Sequence, residues 1–490
     1  MARKDITTVR GLVEFLKSEN EILITAEEVD PILEVAGIQK AFEDGPAVLF
    51  ENVKGYPDHR ILINVFARKA CLAKIFGVSD PTKFKFKALD AIRNPVPPRI
   101  VDNAPCQEVV ITKDIDVLKT MPVTQIVETD PGRIISGGIA LFSGPDIGHC
   151  IAYRRTFFRG KDWASLNIAA AGHMEHILFE GKEKGAKLPL TLNIGCSPAV
   201  NVVGAAGMMQ LAVPAGSDEL AIAGGLQDTP VEICKAKKVD AYSVADSEWV
   251  IEGYLDTSQT VWESEEAEKT DDIWKPFLIE WRGYLGWARR TYKFQATAIT
   301  HRQDNPIYYS SLASCVEVFN RLGSFAAAMM YDIGNRVRPG FVQDVNVPDS
   351  MHGQAGIVIQ VKKRSPVDDG FVRNLILAAF TASTNIQLAI VVDEDVNIYS
   401  ADDILWALMT RVDPEQDVIA FSEPGGPQPG RVGRQGRAGY DATIPFDKKF
   451  IYFRGTHPEV NLEKWFTKEE IERIRAEQSE YARFIAQNRL

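Results

Sequence analysis

The pattern of apolar and polar positions changes along the chain and divides it into parts. Apolar residues recur at helical spacing over 8–19, so an amphipathic helix opens the fold. Two short β-rich runs follow at 47–52 and 61–66, with a Gly-Tyr-Pro turn between them. A rigid proline-rich link at 94–98 and a strand-like segment at 105–112 come next, and we place the first domain boundary near residue 112.

From residue 113 to about 305 the pattern is that of many short strands with few helices. Glycines punctuate segments rich in Ile, Val, Leu and Thr, which favours a β-sandwich or barrel. Helical patterns occur at 171–185 and 201–210. The predicted strands are 135–142, 150–158, 189–194, 218–223, 241–252 and 291–301.

From residue 306 strands alternate with helices, which predicts an α/β layer. The predicted domains are therefore 1–112, 113–305 and 306–445, followed by a tail, 446–490. In the third domain we predict helix 316–330, strand 356–361, helix 369–383, strand 387–392 and helix 402–411.

The tail contains a capping box, Thr467-x-x-Glu470, that predicts a terminal helix. This helix either contacts another subunit or docks onto its own chain, because its apolar stripe has no obvious partner in the sequence. The stripe consists of Ile471, Ile474, Tyr481 and Phe484.

Composition narrows the class of protein. Apolar residues make up 45% and charged residues 25% of the 490 residues, as in soluble globular proteins. The chain carries no signal peptide pattern and no apolar run of membrane-spanning length, so we expect a cytoplasmic protein without a membrane partner. The formal net charge of −11 argues against nucleic-acid binding. Six scattered cysteines without a C-x-x-C pair indicate reduced thiols.

Three residues offer a metal site. Cys150, His173 and Glu232 supply a thiol, an imidazole and a carboxylate from three separate segments of the chain, a set that suits Mn, Fe or Zn. The alternative is a chance arrangement over a long stretch of chain.

Arginines mark a second candidate site. Arg154 and Arg155 lie in a strand-like segment, so at least one points inward and meets a carboxylate or phosphate. A structural ion pair is the alternative. The Gly- and Arg-rich loop 424–439 suits a phosphate, or is merely a solvated loop. Glu280 lies among apolar neighbours, where it would serve as a proton donor; otherwise it faces water at a strand edge.

Six ordered segments resemble blocks of the UbiD decarboxylases, and the resemblance covers most of the chain. It implies an N-terminal α/β domain, a central FMN-binding split β-barrel, and a C-terminal α/β domain with a terminal helix that mediates dimerisation. The segments are 104–123, 153–162 with its Tyr-Arg-Arg and Gly-Lys-Asp, 195–200 (GCSPAV), 230–253, 391–414 and 436–443 (GRAGYDAT).

The resemblance also implies cofactors. Members bind prenylated FMN, with a divalent metal and potassium bridging its phosphate. The family's Asn, His and Glu ligands fall on Cys150, His173 and Glu232, or on His149 in the first place if the alignment slips by one. Sulfur or imidazole would favour Fe or Zn over Mn. The implied cofactor-binding residues are Ala152, Tyr153, Arg154, Arg155, Gly172, His173 and, in place of a phosphate-binding lysine, Arg437.

Catalysis in the family uses a Glu-Arg-Glu network with the prenylated flavin as electron sink. The arginine falls on Arg155, which would hold the substrate carboxylate or CO2, and the second glutamate falls on Glu280, which would move the proton. Trp274 stands where the first glutamate is expected and cannot transfer a proton. Asp271 or Asp272 substitutes only if the loop is rebuilt.

The implied function is reversible, non-oxidative decarboxylation of an aromatic acid, with a polycyclic arene or an aroyl thioester as candidate substrates. The alternative is a non-catalytic or assembly subunit of a multisubunit carboxylase. A flavin oxidoreductase is disfavoured because no G-x-G-x-x-G fingerprint occurs near a strand–helix turn. Expected partners are a flavin prenyltransferase that supplies the cofactor, further copies of the chain in a dimer or dimer-based hexamer, and further carboxylase subunits.

Overall fold

In a computed structural model the chain forms two compact units, residues 1–446 and 447–490. The structure describes residues 5–144, 148–168, 173–183, 185, 187–206, 213, 216–271, 277–383, 385–422 and 436–487. Among these described residues, no helix is long and apolar enough to cross a membrane.

The first elements build a small α/β layer. The predicted opening helix is confirmed as α1 (Val9–Ser18), whose N-terminus is capped by the Thr8 side chain accepting the Gly11 N–H. The elements that follow are β1 (Ile22–Val29), α2 (Glu34–Ala41), β2 (Ala47–Val53), β3 (Arg60–Ile63), α3 (Lys69–Ile75) and α4 (Phe84–Arg93).

The central part is dominated by strands, as the short β-rich segments predict. Its first elements are β4 (Arg99–Ile100), β5 (Val109–Ile111), α5 (Val117–Thr120), β6 (Ile134–Ile135), β7 (Ile139–Gly144), β8 (Gly148–Tyr153), β9 (Thr156–Phe158), β10 (Trp163–Leu166) and α6 (His173–Glu183). They are followed by β11 (Lys187–Ile194), α7 (Pro198–Ala206), α8 (Glu219–Gln227), β12 (Glu232–Lys235), β13 (Tyr242–Val244), β14 (Trp249–Trp262), α9 (Glu265–Thr270) and β15 (Arg290–His301).

Nine of these strands form one antiparallel sheet in the order β6-β9-β10-β15-β14-β11-β7-β8, with β5 paired to β15. Within the described strands, β6 and β8 are the two ends of this path and do not pair with each other. A smaller sheet has the order β13-β12-β4.

The prediction of a strand at 218–223 is wrong, because these residues enter helix α8. All nine residues of α8 are buried, so the helix has no polar face and its apolar pattern carries no 3.6-residue signature. The Asp218 side chain accepts the Ala221 N–H and caps the first turn.

The last part of the first unit confirms the predicted alternation of strands and helices. Its elements are β16 (Ile307–Tyr309), α10 (Val316–Val337), β17 (Val342–Asn346), β18 (Gly356–Val361), α11 (Asp368–Ala382), β19 (Leu388–Asp393), α12 (Ala401–Arg411), β20 (Val418–Phe421) and β21 (Arg437–Ala442). Five of the strands form a sheet of order β17-β18-β19-β21-β20 with parallel pairs in its centre. Strand β16 instead pairs in parallel with β3 and completes the N-terminal sheet β1-β2-β3-β16.

The second unit contains α13 (Lys449–Tyr452) and α14 (Lys468–Gln487). The predicted capping box is confirmed at the start of α14. The Thr467 N–H donates to Glu470 Oε2 at 2.8 Å, and the Glu470 N–H donates to Thr467 Oγ1 at 3.2 Å.

Candidate active site

Arg155 is held between two carboxylates at the wall of a cavity. Its Nε and Nη2 donate to Oε1 and Oε2 of Glu263 at 2.7 and 2.9 Å, and its Nη1 donates to Glu280 Oε1 at 2.8 Å. The centroid of the Phe277 ring lies 5.5 Å from Arg155 Cζ. Burial alone would lower the pKa of Arg155, but the two carboxylates outweigh it and raise that pKa. The arginine therefore stays charged between two groups able to move protons.

Glu263 supplies a second carboxylate beside Arg155, although this chain has a tryptophan where the family motif has its first glutamate. It directly follows β14, and its side chain is 0% exposed. The Arg289 backbone N–H donates to its Oε2 at 2.9 Å. The replacement left open by the sequence was an aspartate, but Asp271 is exposed at the end of α9, and Asp272 and Trp274 lie outside the described residues. Helix α9 and residues 272–276 separate Glu263 from Glu280 in the sequence. Glu263 therefore cannot be recognised from the short spacing between the two glutamates of the family motif.

Glu280 lies in a tight turn that directs its side chain toward Arg155. The Glu280 N–H donates to the Tyr284 carbonyl at 2.9 Å, and the Gly286 N–H donates to the Leu278 carbonyl at 2.8 Å. A Cβ on residue 286 would lie 2.7 Å from Glu280 Cγ, so this approach requires glycine. With its side chain 17% exposed, Glu280 lines the cavity rather than a water-facing strand edge.

A second group, here called the Cys-His-Glu cluster, consists of Cys150 on β8, His173 at the start of α6 and Glu219 at the start of α8. Their candidate ligand atoms all lie within 4.8 Å of one another, with His173 Nδ1 and Glu219 Oε1 3.0 Å apart. Thiol, imidazole and carboxylate together suit a divalent first-row metal, so this donor set fits the metal that the resemblance implies. His149 is not a member of this cluster, and its Nδ1 lies 2.7 Å from Asp218 Oδ2.

Burial, and then the neighbouring Glu219, raise the pKa of the Cys150 thiol well above its usual range. A bound cation reverses this logic, because metal coordination deprotonates a thiol. The cluster therefore favours a metal that binds sulfur.

The prediction of Glu232 as the third metal ligand does not agree with the structure. Glu232 lies on β12, where its carboxylate pairs with Arg99 of β4. Glu219 takes its place in the Cys-His-Glu cluster. The physical reason is that Glu219 begins helix α8 and does not lie on a strand. The first turn of this helix directs Glu219 to β8, where its Oε2 accepts the Ile151 N–H.

Ala152, Tyr153 and Arg154 join the two groups and line the cavity. The Tyr153 hydroxyl donates to Asn201 Oδ1 at 2.7 Å. Arg154 is buried, and its Nε and Nη1 contact Met174 Sδ and the Tyr153 carbonyl at 3.1 Å. It makes no ion pair with any residue that the structure describes. A buried guanidinium without a protein carboxylate suits a phosphate, so Arg154 fits the flavin that the resemblance implies.

The two other predicted cofactor contacts stay predictions. Arg437 lies on β21, donates through Nη1 to the Phe380 carbonyl and is buried, which lowers its pKa. Gly172 lies outside the described residues.

The cavity beside Arg155 has a volume of about 290 Å³. Apolar side chains dominate its wall, and Arg155, Glu280 and Arg289 are among its few charged groups. A concave, largely apolar site with convergent polar groups is typical of small-molecule binding. The arrangement can hold a flat ring against apolar walls and exchange a proton with it. The apolar part of the wall includes Ile126, Leu278, Ile279, Trp281 and Leu312.

Three models of one enzyme family match successive parts of the chain. The N-terminal domain of 3-octaprenyl-4-hydroxybenzoate carboxy-lyase matches residues 13–86, its Rift-related domain 99–315, and its C-terminal domain 321–442. The chain belongs to the UbiD family. It is a UbiD-like carboxy-lyase.

Two relatives of this UbiD protein are similar over most of their length. Gallate decarboxylase of Lactiplantibacillus plantarum is 29% identical over 456 residues, which cover 87% of this chain and 91% of that protein. Anhydromevalonate phosphate decarboxylase of Methanosarcina mazei is 28% identical over 456 residues, which cover 92% of this chain and 100% of that protein.

Solved structures of UbiD enzymes share the fold. The apo 3,4-dihydroxybenzoic acid decarboxylase of Enterobacter cloacae matches with a TM-score of 0.83 at 27% identity, over 95% of this chain and 99% of that one. An evolved dimeric form of a UbiD-class enzyme of Pelotomaculum thermopropionicum, in complex with prFMN, matches with a TM-score of 0.81 at 27% identity, over 94% of this chain and 100% of that one. The vanillic acid decarboxylase of Sedimentibacter hydroxybenzoicus matches with a TM-score of 0.78 at 25% identity, over 97% and 99%.

Proposed function

We propose that this UbiD protein catalyses the reversible, non-oxidative decarboxylation of an aromatic carboxylic acid with prenylated FMN. The observation that carries the proposal is Arg155 held between the carboxylates of Glu263 and Glu280 beside a largely apolar cavity. Relatives named for gallate, 3,4-dihydroxybenzoic acid and vanillic acid support an aromatic acid as the substrate class.

The Cys-His-Glu cluster would hold the divalent metal, and its sulfur favours Fe or Zn over Mn. Arg154 and Arg437 would bind the flavin phosphate together with potassium, and we propose Ala152, Tyr153 and Gly172 as further contacts of the flavin. We propose that the nine-stranded sheet is the split barrel that encloses the flavin. When bound, prenylated FMN supplies an electron sink for the ring carbon that loses CO2.

Glu280 is the group that we assign to proton transfer. In decarboxylation it donates a proton to the ring carbon that CO2 has left, and in carboxylation it accepts the proton from that carbon. Arg155 keeps the Glu280 carboxylate in place through the 2.8 Å hydrogen bond. Glu263 is a positioning residue, because it holds Arg155 through both oxygens.

A non-catalytic subunit was suggested by the tryptophan at position 274. We favour an enzyme over this alternative, because Glu263 puts a second carboxylate beside Arg155 in the described structure. Homo-oligomers formed through α14 are also part of the proposal, and a UbiD-class relative has a dimeric form that was obtained by evolution. The two-protein vanillic acid decarboxylase shows that a similar chain works with a further subunit.

The test is to produce the full chain anaerobically together with a flavin prenyltransferase. Mass spectrometry identifies the bound flavin, and exchange of labelled CO2 is measured over a panel of aromatic acids. We expect bound prenylated FMN and exchange on at least one ring acid. Holoprotein that exchanges CO2 with no ring acid would contradict the proposal.

The matched variant is Glu280→Gln. We expect it to keep the cofactor while exchange falls by about 10²–10⁴-fold, the range of one general acid. Unchanged exchange would remove Glu280 from the reaction.

A further inference from the structure

Arg289 presents a guanidinium to the substrate cavity in a fixed position. Its backbone is held on both sides by Glu263, since its N–H donates to Oε2 at 2.9 Å and its carbonyl accepts the Glu263 N–H at 3.0 Å. The guanidinium lies over the Trp287 ring, with Cζ 5.1 Å from the centroid. It makes no hydrogen bond or ion pair with the residues that the structure describes, and its Nε is buried.

The other arginines of the cavity already have roles. Arg155 is bound by two carboxylates. Arg321 donates to the Tyr153 hydroxyl and, at 2.9 Å, to Ser311 Oγ. Arg154 lies beside the Cys-His-Glu cluster. Arg289 therefore offers a cation to whatever enters the cavity.

Burial lowers the pKa of Arg289, and the nearby charge of Arg155 lowers it further, while the charges of Glu280 and Glu263 offset only part of this. A guanidinium in this position has lost water without gaining a hydrogen-bonded carboxylate. An anionic ligand would restore its partners in a charge-assisted, bidentate form.

The reacting carboxylate is a poor match for this arginine. Negative charge leaves that carboxylate as CO2 forms, so a guanidinium bound to it stabilises the ground state more than the transition state. An anion that keeps its charge throughout the reaction has no such conflict.

We propose that Arg289 binds a second anionic group, a carboxylate or a phosphate, on the aromatic acid. This inference rests on the proposed function and narrows its substrate class to ring acids with two anionic groups. Apolar side chains of the cavity wall, such as Leu278 and Trp281, would contact the ring between the two anionic groups. Arg289 then contributes equally to the binding of substrate and transition state, so it sets specificity rather than the rate of the chemical step.

The test measures binding to the flavin-loaded, full-length chain by titration calorimetry. The ligands are benzoate, isophthalate and 3-phosphonobenzoate, so that carboxylate and phosphate are separate arms. We expect isophthalate or 3-phosphonobenzoate to bind about 10- to 100-fold more tightly than benzoate, the range of one hydrogen bond to a charged group.

Arg289→Gln should abolish this preference while benzoate affinity changes less than about threefold. Arg289→Lys should keep part of it, because the charge stays and the planar fork is lost. Arg290→Gln is the control, since Arg290 is the exposed neighbour whose Nη2 donates to the Thr260 carbonyl at 3.5 Å.

Equal affinity for benzoate and both dianions in the unaltered chain would overturn the inference and leave decarboxylation of monoanionic acids standing. An equal loss of benzoate and isophthalate binding in Arg289→Gln would also overturn it, by assigning Arg289 to the reacting carboxylate. Failure of every acid to bind, together with absence of CO2 exchange, would overturn the proposed function as well.

Discussion

Arg155 donates three of its N–H groups to glutamates, two of them to Glu263. Loss of one partner from a buried ion pair costs about 3–5 kcal/mol, because the remaining charge has no compensation. Glu263 is fully buried whereas Glu280 is partly exposed, so the orientation of Arg155 depends mainly on Glu263. At the scale of single residues, the site consists of one fully buried carboxylate, one arginine and one partly exposed carboxylate at the cavity wall.

Glu263→Gln should lower exchange of labelled CO2 by about 10²–10³-fold, because an amide cannot bind both donors of Arg155. We expect kcat to fall with little change in KM, since Glu263 is not one of the described residues that line the cavity. Flavin content measured by absorbance should stay unchanged. Glu265→Gln, on the exposed side of α9, is the control. Full activity of Glu263→Gln would show that Arg155 needs no second carboxylate.

Gly286→Ala tests the approach of Glu280 without altering any charged group. The added Cβ would lie 2.7 Å from Glu280 Cγ, so the glutamate must move away from Arg155. We expect activity to fall about 10²-fold, as for other displacements of about 1 Å, with an unchanged melting temperature. Gly37→Ala on α2, where nothing lies within 4 Å, should leave activity intact. Equal activity of the two variants would contradict the assigned geometry.

At the scale of elements, the first turn of α8 contributes Glu219 to the proposed metal site. Glu219→Gln should lower the content of bound divalent metal in flavin-loaded protein at least about tenfold, since it removes one of three charged or nitrogen ligands. Glu232→Gln should leave metal content unchanged, because Glu232 pairs with Arg99 on another sheet. Metal analysis of the two purified variants makes the comparison. The reverse result would restore Glu232 as the ligand.

Elements with one polar and one apolar face could be predicted from the sequence. Helices α1, α11 and α12 have this pattern, whereas β18 and β19 are short, continuous apolar runs, and the structure confirms all of them. Helix α8 could not be predicted, because it is buried on all sides and its sequence has no helical period.

The site follows the same division. The residue types and the resemblance pointed to Cys150, His173, Arg155 and Glu280, which the structure places in two neighbouring groups. Glu219 and Glu263 could not be predicted, because the tertiary fold alone brings them to these groups.

At the scale of the whole molecule, Asp246 makes stability depend on pH. Burial, and then the nearby Glu232, raise the pKa of Asp246 to about 6. The unfolded chain releases this proton near pH 4 and the folded chain near pH 6. Below about pH 4, Asp246 therefore does not destabilise the folded state. As the pH rises to about 6, it lowers the free energy of unfolding by about 2 kcal/mol, after allowance for solvent screening.

Asp246→Asn should consequently raise the melting temperature at pH 8 and leave it nearly unchanged at pH 4, as measured by calorimetry. Asp58→Asn, at an exposed position, should have no effect at either pH. An equal rise in the melting temperature of Asp246→Asn at pH 4 and at pH 8 would contradict the raised pKa of Asp246.

Strand β16 has a consequence for synthesis of the protein. Its residues Ile307–Tyr309 pair with Arg60–Leu62 of β3, so the fourth strand of the N-terminal sheet leaves the ribosome only after the nine-stranded sheet has been made. Until then the nascent chain presents the open edge of β3, and such an edge is a template for wrong pairing. Vectorial folding of this enzyme therefore begins with a layer that stays incomplete until almost two-thirds of the polypeptide has been translated.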